Sequence, residues 1–295
     1  MRQWLRKVRV TIPGGFIINP SDKVAKHELK VWFNIEKSIS GSTNTAEIKI
    51  WNLNEDHRNS VGKEYDDLRL EAGYQPPEGG GNVGILFQGQ IRDVAHQREG
   101  SDIITTLDCA DGDRASRKAT ISKTYPRNAS VETVVEGIFN EFQRYGIKKG
   151  EWKFPDDIEE KKFKRPYSLC GSCLRELNIL GQGKGFYWSL QNETLEIAPG
   201  DGHLPGVVSI SPETGMIDTP TLTDNGVKVS TLLNPEIRPN RTVQIESQTL
   251  EMNGEGGMYR VSKATYSGDN RSGSFEVAIH GEAIKGGKID EGKKQ

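Results

Sequence analysis

Only 3 cysteines stand among the 295 residues of this chain. They cannot all pair with one another, and their density is far below that of small secreted scaffolds, so a disulfide framework is excluded. No stretch approaches the run of about 18 apolar residues that a membrane span requires, so no membrane span is expected. The opening MRQWLRKVRVTI is basic but has neither an apolar h-region of roughly 7–15 residues nor a small-residue cleavage site. It reads as the first strand of a domain, in a chain made and folded in a cytoplasm. One-sided charge is also missing. The 39 basic and 41 acidic residues leave a formal charge of −2, which removes the sequence-wide signature of a nucleic-acid binder. Aromatic residues are 7% and mostly scattered, which argues against a stacking platform for sugars. Glycine, by contrast, is abundant. Its 33 residues are about 11% of the chain, above the ordinary ~7%, and suit a turn-rich β-protein. With 34% AVILMFWYC, enough apolar side chain remains for a core, and the length allows one to three domains.

A β-pattern occurs twice. The first copy is LFQGQIRDVAHQREGSDIITTLDCADGD, Leu86 to Asp113, and the second is MYRVSKATYSGDNRSGSFEVAIHGEA, Met258 to Ala283. Each opens on a bulky pair, Leu86-Phe87 or Met258-Tyr259, alternates as a strand, turns through a polar Gly-containing loop, and returns as a second alternating strand. Further strands are predicted at Trp4–Thr11, Leu29–Ile35, Ala46–Ile50 and Leu68–Tyr74, with the loop Gln75–Gly81 after the last. A short helix capped by Asn54 is predicted to run to about Val61. The segment to about Asp113 therefore reads as an antiparallel barrel or sandwich.

The middle of the chain changes period. Val131, Val134, Val135, Ile138, Phe139 and Phe142 have helical spacing, with Ser130 as N-cap and Gly146 near the end. The mixed-charge stretch Lys148–Arg165 reads as a solvated loop. A second helix is predicted from about Ser168 to Leu180 with a stripe of Leu169, Cys173, Leu174, Leu177 and Leu180, ended by Gly181–Gly185. Strands Phe186–Leu190 and Thr194–Ala198 follow, joined by a turn at Gln191-Asn192-Glu193, then a linker from Pro199 to His203. The last third returns to β at Val207–Ile210, Gly226–Leu232, Thr242–Gln248 and the second hairpin. From Gly286 onward, charge and glycine predict a disordered tail.

A search for chemistry finds no constellation that makes an enzyme the leading reading. Cys170 and Cys173 form a C-x-x-C, but only Cys109 and the distant His203 remain to complete a structural zinc site, and no parallel βαβ frame surrounds the pair as a redox motif needs. Both cysteines read as buried helix residues. Gly181-Gln-Gly-Lys-Gly185 follows a helix and lacks G-K-[ST], so it reads as a helix end. His27, His57, His96, His203 and His280 form no metal pattern, and Asp156-Asp157 with Glu159-Glu160 read as solvated carboxylates, not a hydrolytic pair. No cofactor or metal is expected.

The final third then becomes specific. It runs Ser211-Pro-Glu-Thr-Gly215, Met216-Ile-Asp-Thr-Pro220, Asp224-Asn-Gly226-Val227, Leu232-Leu-Asn234-Pro235, Gly257-Met-Tyr259-Arg-Val261 and Ser267-Gly268-Asp269-Asn270. In this order and spacing it resembles the tail-hub (baseplate hub) family of tailed bacteriophages. LEAGY with Gly73 and Tyr74, LFQGQI with Phe87 and Gly89, DCADGD with Asp111 and Gly112, and the helix-plus-hairpin at 168–198 resemble the same family, so the likeness covers nearly the whole chain. The motif positions are Gly73, Tyr74, Phe87, Gly89, Asp111, Gly112, Gly215, Gly226, Asn234, Pro235, Tyr259, Val261, Gly268 and Asp269. The glycines among them are expected at strand ends or turns, with Pro220 and Pro235 stopping strands.

The resemblance implies a β-rich α+β chain with two tube-like antiparallel β-barrel domains, 1–115 and 204–285, flanking an α/β region at 116–203, with a flexible tail at 286–295. It implies a homotrimer whose six barrels adapt a sixfold tail tube to a threefold central spike. The chain carries no hydrolase domain or fused needle, so the spike is expected to be a separate protein. The implied partners are the tail tube protein, the central spike protein, the tape measure protein and other baseplate proteins. DNA is met only in transit through the lumen, in a virion assembled in the host cytoplasm. The rival readings are a tail-associated cell-wall hydrolase and a host-surface sugar-binding β-module.

Overall fold

The computed structural model describes residues 5–13, 15–21, 27–61, 66–76, 80–247, 251–252 and 255–284. In chain order the elements are β1 (Arg6–Thr11), β2 (Ile17–Ile18), β3 (Val31–Ser38), β4 (Thr45–Trp51), α1 (Glu55–Ser60), β5 (Asp67–Tyr74), β6 (Gly84–Glu99), β7 (Asp102–Ala110), α2 (Asp113–Lys118), β8 (Thr120–Tyr125), α3 (Val131–Gln143), β9 (Lys148–Trp152) and β10 (Tyr167–Ser172). They continue with α4 (Cys173–Lys184), β11 (Phe186–Leu190), β12 (Thr194–Pro199), β13 (Val207–Ile210), β14 (Thr221–Thr223), β15 (Gly226–Leu232), β16 (Thr242–Ile245), β17 (Met258–Asp269) and β18 (Phe275–Ala283). The chain is mostly β, as expected. The predicted strand start at Trp4, positions 77–79 of the expected loop, Gln248 and the tail from Gly286 lie outside the described residues.

Both repeated segments form antiparallel hairpins, β6 with β7 and β17 with β18. Each first strand carries one extra residue, Arg92 opposite the Asp108–Cys109 step and Ser262 opposite the His280–Gly281 step. Such a bulge bends the strand and increases its twist. The hairpins belong to one 13-stranded sheet in the order β14-β15-β18-β17-β3-β4-β7-β6-β5-β1-β2, with β16 on the first part of β17 and β13 parallel to β16. The strand β3 of the N-terminal half pairs along β17 of the C-terminal half, from Ser38↔Lys263 to Trp32↔Asp269. The backbone path is open. At its β2 end, Asn19 bridges the gap with its side chain: Nδ2 donates to Val8 O (3.2 Å) and Leu29 O (3.1 Å), and Oδ1 accepts from Leu29 N (2.8 Å). The chain thus returns to the residues just before β3.

Alternation builds the core. Val31, Phe33 and Ile35 of β3, Ala46, Ile48 and Ile50 of β4, and Val277 and Ile279 of β18 all face inward, in one apolar cluster that runs from Val8 to Ile279. A second cluster, from Ala115 to Ile197, belongs to the inserted α/β module. There α3 and α4 lie over two small sheets, β8–β10 and β11–β12–β9. The expected caps are present, since Asn54 accepts from His57 N at 2.8 Å and Ser130 accepts from Thr133 N at 3.1 Å.

Three local expectations are corrected. The first turn of the expected helix at Ser168 is strand: β10 pairs with β8, and α4 begins only at Cys173 and runs through Gly181 to Lys184. Leu169 is buried from a strand and Leu177 from a helix, and their spacing imitated one helical stripe. The stretch Lys148–Arg165 is not wholly loop, because Lys148–Trp152 forms β9 in parallel with β12. Pro220 precedes β14 instead of ending a strand.

Candidate functional site

The module meets the large sheet through the hairpin β11–β12. Its turn has two central residues, Asn192 (φ 54°) and Glu193 (φ 62°), closed by Gln191 N to Thr194 O at 2.8 Å and Thr194 N to Gln191 O at 3.2 Å. Positive φ at both positions matches the twist of the flanking strands. Asn tolerates it, whereas a Glu in this region is uncommon and persists where its surroundings over-determine it. Here Glu193 Oε1 accepts from Gly112 N at 2.6 Å, and its carbonyl accepts from Lys148 N at 2.8 Å. Gly112 has φ 58°, and a Cβ there would run into Leu190 Cδ1, so only glycine fits.

The tip of this hairpin enters a buried polar network on the sheet. Asp111, fully buried, accepts from Asn44 N (3.0 Å), Asn44 Nδ2 (2.8 Å) and Asn192 N (3.1 Å). Asn44 Nδ2 also donates to Leu190 O at 2.6 Å. Lys37, at an inward position of β3, donates to Asn192 Oδ1 at 2.6 Å, and the same oxygen accepts from Gln88 N at 3.1 Å. Burial lowers the Lys37 ammonium to about 8, against the attraction of Asp111. Burial raises Asp111 to about 6, opposed by Lys37 and by the donors on Asn44 and Asn192. Burial also raises Glu193 to about 7, opposed by the Gly112 N–H. Lys37 and Asp111 thus share one buried network through Asn192, whose Oδ1 accepts from Lys37 and whose N donates to Asp111.

The other flank of the hairpin reaches the C-terminal half. Asn240 Nδ2 donates to Ser189 Oγ (3.2 Å), and Arg241 Nη1 to Glu196 Oε2 (2.6 Å). Arg260 Nη1 donates to the carbonyls of Gly200 (3.1 Å) and Gly202 (2.9 Å) and pairs through Nη2 with Glu282 (2.8 Å). One hairpin thus contacts both halves of the sheet through buried, directional polar bonds. Chemically this arrangement holds bodies in register. Its carboxylates are buried and accept from fixed donors, Asp111 from Asn44 and Asn192 and Glu193 from Gly112. Among the described residues no group of three His, Cys, Asp or Glu is placed to hold a metal ion.

The fourteen motif positions do not converge on one pocket. Asp111 and Gly112 belong to the network just described. Tyr74 and Pro235 lie where the two halves meet: Tyr74 Oη donates to Phe275 O at 3.1 Å, and a Cβ on Gly84 would stand 2.9 Å from Pro235 Cβ, while Asn234 Oδ1 accepts locally from Glu236 N at 3.0 Å. Asp269 caps the second hairpin's turn, accepting from Arg271 N (2.7 Å) and Ser272 N (3.2 Å). Phe87, Tyr259 and Val261 are core residues. Gly73, Gly89 and Gly268 sit within strands, Gly226 opens β15, and Gly215 lies in a turn with φ 110°. The within-strand glycines serve close approach: a Cβ on Gly89 would stand 2.5 Å from Ala110 O. Sequence reasoning missed Lys37, Asn44, Asn240, Arg241 and Arg260. For Lys37 a signal existed, since a cation continues the inward series Val31, Phe33, Ile35.

Cys170 and Cys173 do not share a helix. Cys170 is exposed on β10, which corrects the expectation of burial, and Cys173 is buried at the start of α4. Burial raises the Cys173 thiol to about 12 and the Cys109 thiol further still. Asp156, Asp157, Glu159 and Glu160 are exposed, and Asp157 pairs with Lys161 at 2.8 Å. No helix among the described residues is long and apolar enough to cross a membrane.

The chain is thus a β-rich scaffold with a doubled hairpin, one large sheet spanning both halves and an inserted module held to it by polar bonds. The family model described as baseplate hub gp41 matches residues 5–281, and the chain belongs to that family of bacteriophage tail proteins. Among solved structures it is similar to the 43 kDa tail protein of prophage MuSo2 from Shewanella oneidensis, with a TM-score of 0.62 at 10% identity, covering 95% of this chain and 98% of that one. It is similar to the tail protein from Neisseria meningitidis MC58, with a TM-score of 0.62 at 8% identity over 95% and 97% of the two chains. It is also similar to the E. coli c3393 protein, a component of the type VI secretion system, with a TM-score of 0.61 at 11% identity over 93% and 76%. At these identities the likeness is one of fold. No curated protein matches the sequence.

Proposed function

We propose that the chain is the tail-tip hub joining the sixfold tail tube to the threefold central spike. In this reading it acts as a homotrimer in which each subunit contributes two barrel domains, 1–115 and 204–285, to a six-unit ring around the DNA channel. The observation that carries the proposal is the doubled hairpin, with its matching bulges at Arg92 and Ser262, in a chain of the baseplate hub family. Two similar wall segments per subunit let three subunits present six similar positions. The side-chain bridge of Asn19 between Val8 and Leu29 supports a barrel-like N-terminal unit. The fourteen motif positions act as fold determinants that set turns and close strand approaches. The partners are the tube, spike, tape measure and other baseplate proteins in the virion, with assembly in the host cytoplasm. Light scattering on the chain mixed with tube and spike proteins tests this: a species of three times the 32.8 kDa subunit mass is expected. A chain that stays monomeric with both partners present defeats the proposal.

A further inference from the structure

Two acid-free stretches, 114–127 and 161–175, each carry five lysines or arginines. They lie far apart in sequence, and the fold brings them together. Strands β8 and β10 pair from Tyr125↔Tyr167 to Thr120↔Ser172. Phe163 N donates to Ala129 O (3.1 Å) and Asn128 N to Phe163 O (2.8 Å), which ties 162–165 to the turn after β8. Phe163 also stacks on Tyr167 with centroids 4.2 Å apart. Ile121, Tyr125 and Leu169 point inward to the module core, while Ser122, Thr124, Ser168 and Cys170 form an exposed, flat, small-side-chain face.

Around this face stand Arg127, Lys162, Lys164 and Arg165, all exposed, whereas Lys123 alternates with Ser122 and Thr124 and lies on the Tyr125 side, over that ring at 5.0 Å. Among the described residues none of the four forms an ion pair. Several exposed cations elsewhere do have acidic neighbours, as in Lys49–Glu47 (2.9 Å), Lys263–Glu36 (2.7 Å) and Lys149–Glu136 (3.3 Å). Of the acids just upstream, Asp157 is engaged by Lys161, and among the described residues no salt bridge joins Asp156, Glu159 or Glu160 to these cations. The two strands pair only with each other, leaving two strand edges without strand partners.

We infer that the outward face of β8–β10 and the four cations beside it form a docking site for an acidic segment of another protein. The cluster supplies long-range attraction for carboxylates, and the open edges supply backbone groups that a polypeptide strand can pair with in register. Single-stranded nucleic acid would need exposed rings on which to stack, and the rings here are engaged: Tyr125 is buried, and Tyr167 stacks on Phe163. This inference does not depend on the trimeric hub reading, because its test uses the isolated chain.

The test is fluorescence anisotropy of the full chain with a labelled oligoglutamate peptide, in parallel with single- and double-stranded DNA of equal charge. The comparison variant is Arg127→Glu/Lys162→Glu/Lys164→Glu/Arg165→Glu, whose fold is checked by its melting curve. A second variant, Lys228→Glu/Lys263→Glu, reverses cations on the large sheet. Oligoglutamate binding is expected to weaken by about tenfold or more in the first variant, where attraction becomes repulsion, and to stay unchanged in the second. Should the first variant not fold, Arg127→Gln/Lys164→Gln serves, with a smaller loss in the same direction. Equal peptide binding by wild type and the folded variant overturns the inference. Tighter binding of either DNA through the same residues overturns the assignment of a protein partner.

Discussion

Lys37 continues the inward series of β3, and the sheet accommodates it because the hairpin tip offers Asn192 Oδ1 as an acceptor, with Asp111 holding the tip in place through Asn192 N. Removing Asp111 leaves the buried donors of Asn44 and Asn192 without their acceptor. Asp111→Ala is expected to cost about 3 kcal/mol or more in urea unfolding at neutral pH. Glu193 gives a pH signature. Its folded value of about 7 lies above its ordinary value of 4.5, so between these values the folded state holds more protons than the unfolded. The Glu193 contribution to stability therefore falls as pH rises through that window. Glu193→Gln keeps an acceptor for Gly112 N and removes the titration. Its stability relative to wild type should climb by roughly 2–3 kcal/mol across that window, and urea melts of both proteins at several pH values check this. The cysteines differ in the same physical terms. With Cys109 and Cys173 buried and their thiols raised, a thiol-reactive dye on the native chain near pH 7 should label Cys170 alone, confirmed by peptide mapping.

Among the elements, the β11–β12 hairpin carries the most consequence. Asn192→Gly keeps the turn's positive φ but removes the oxygen that accepts from both Lys37 and Gln88. The expected loss is about 1–3 kcal/mol, with faster hydrogen exchange at Gln88 and along β11–β12. Gly268→Ala on β17 places a Cβ 2.6 Å from both Phe33 Cζ and Phe275 Cδ2. Its expected cost is about 1–3 kcal/mol of overpacking, read from the same unfolding curves. Strands of β-branched, aromatic and other apolar residues bounded by turn residues were legible from the sequence: β11, β13 and β15 match their expected bounds. Strands β8, β9 and β10 were not. Each has few inward side chains, and β9 reads as a lysine-rich loop until β12 supplies its partner. Helix α3 was legible because Ser130 and the apolar stripe act within a few residues of one another.

At the scale of the whole molecule, one core and one sheet span both halves, whereas the module has a core of its own and a polar junction. Native-state hydrogen exchange should therefore give β3 and β17 a common opening energy, with α3 and α4 opening at a different one. Distinct energies for β3 and β17 would contradict a shared core. The sequence by itself determined what depends on near neighbours: strand alternation, both hairpins, the Asn54 and Ser130 caps, and the motif order that resembles the baseplate hub family. Only the tertiary structure decided which half pairs with which, that Lys37, Asp111 and Asn192 meet, and that Arg127 lies beside the cations of 162–165. Those contacts join residues tens to more than two hundred positions apart, as β3 with β17 does. No local propensity encodes such a pairing, because it is fixed by how whole strands bury their apolar faces together.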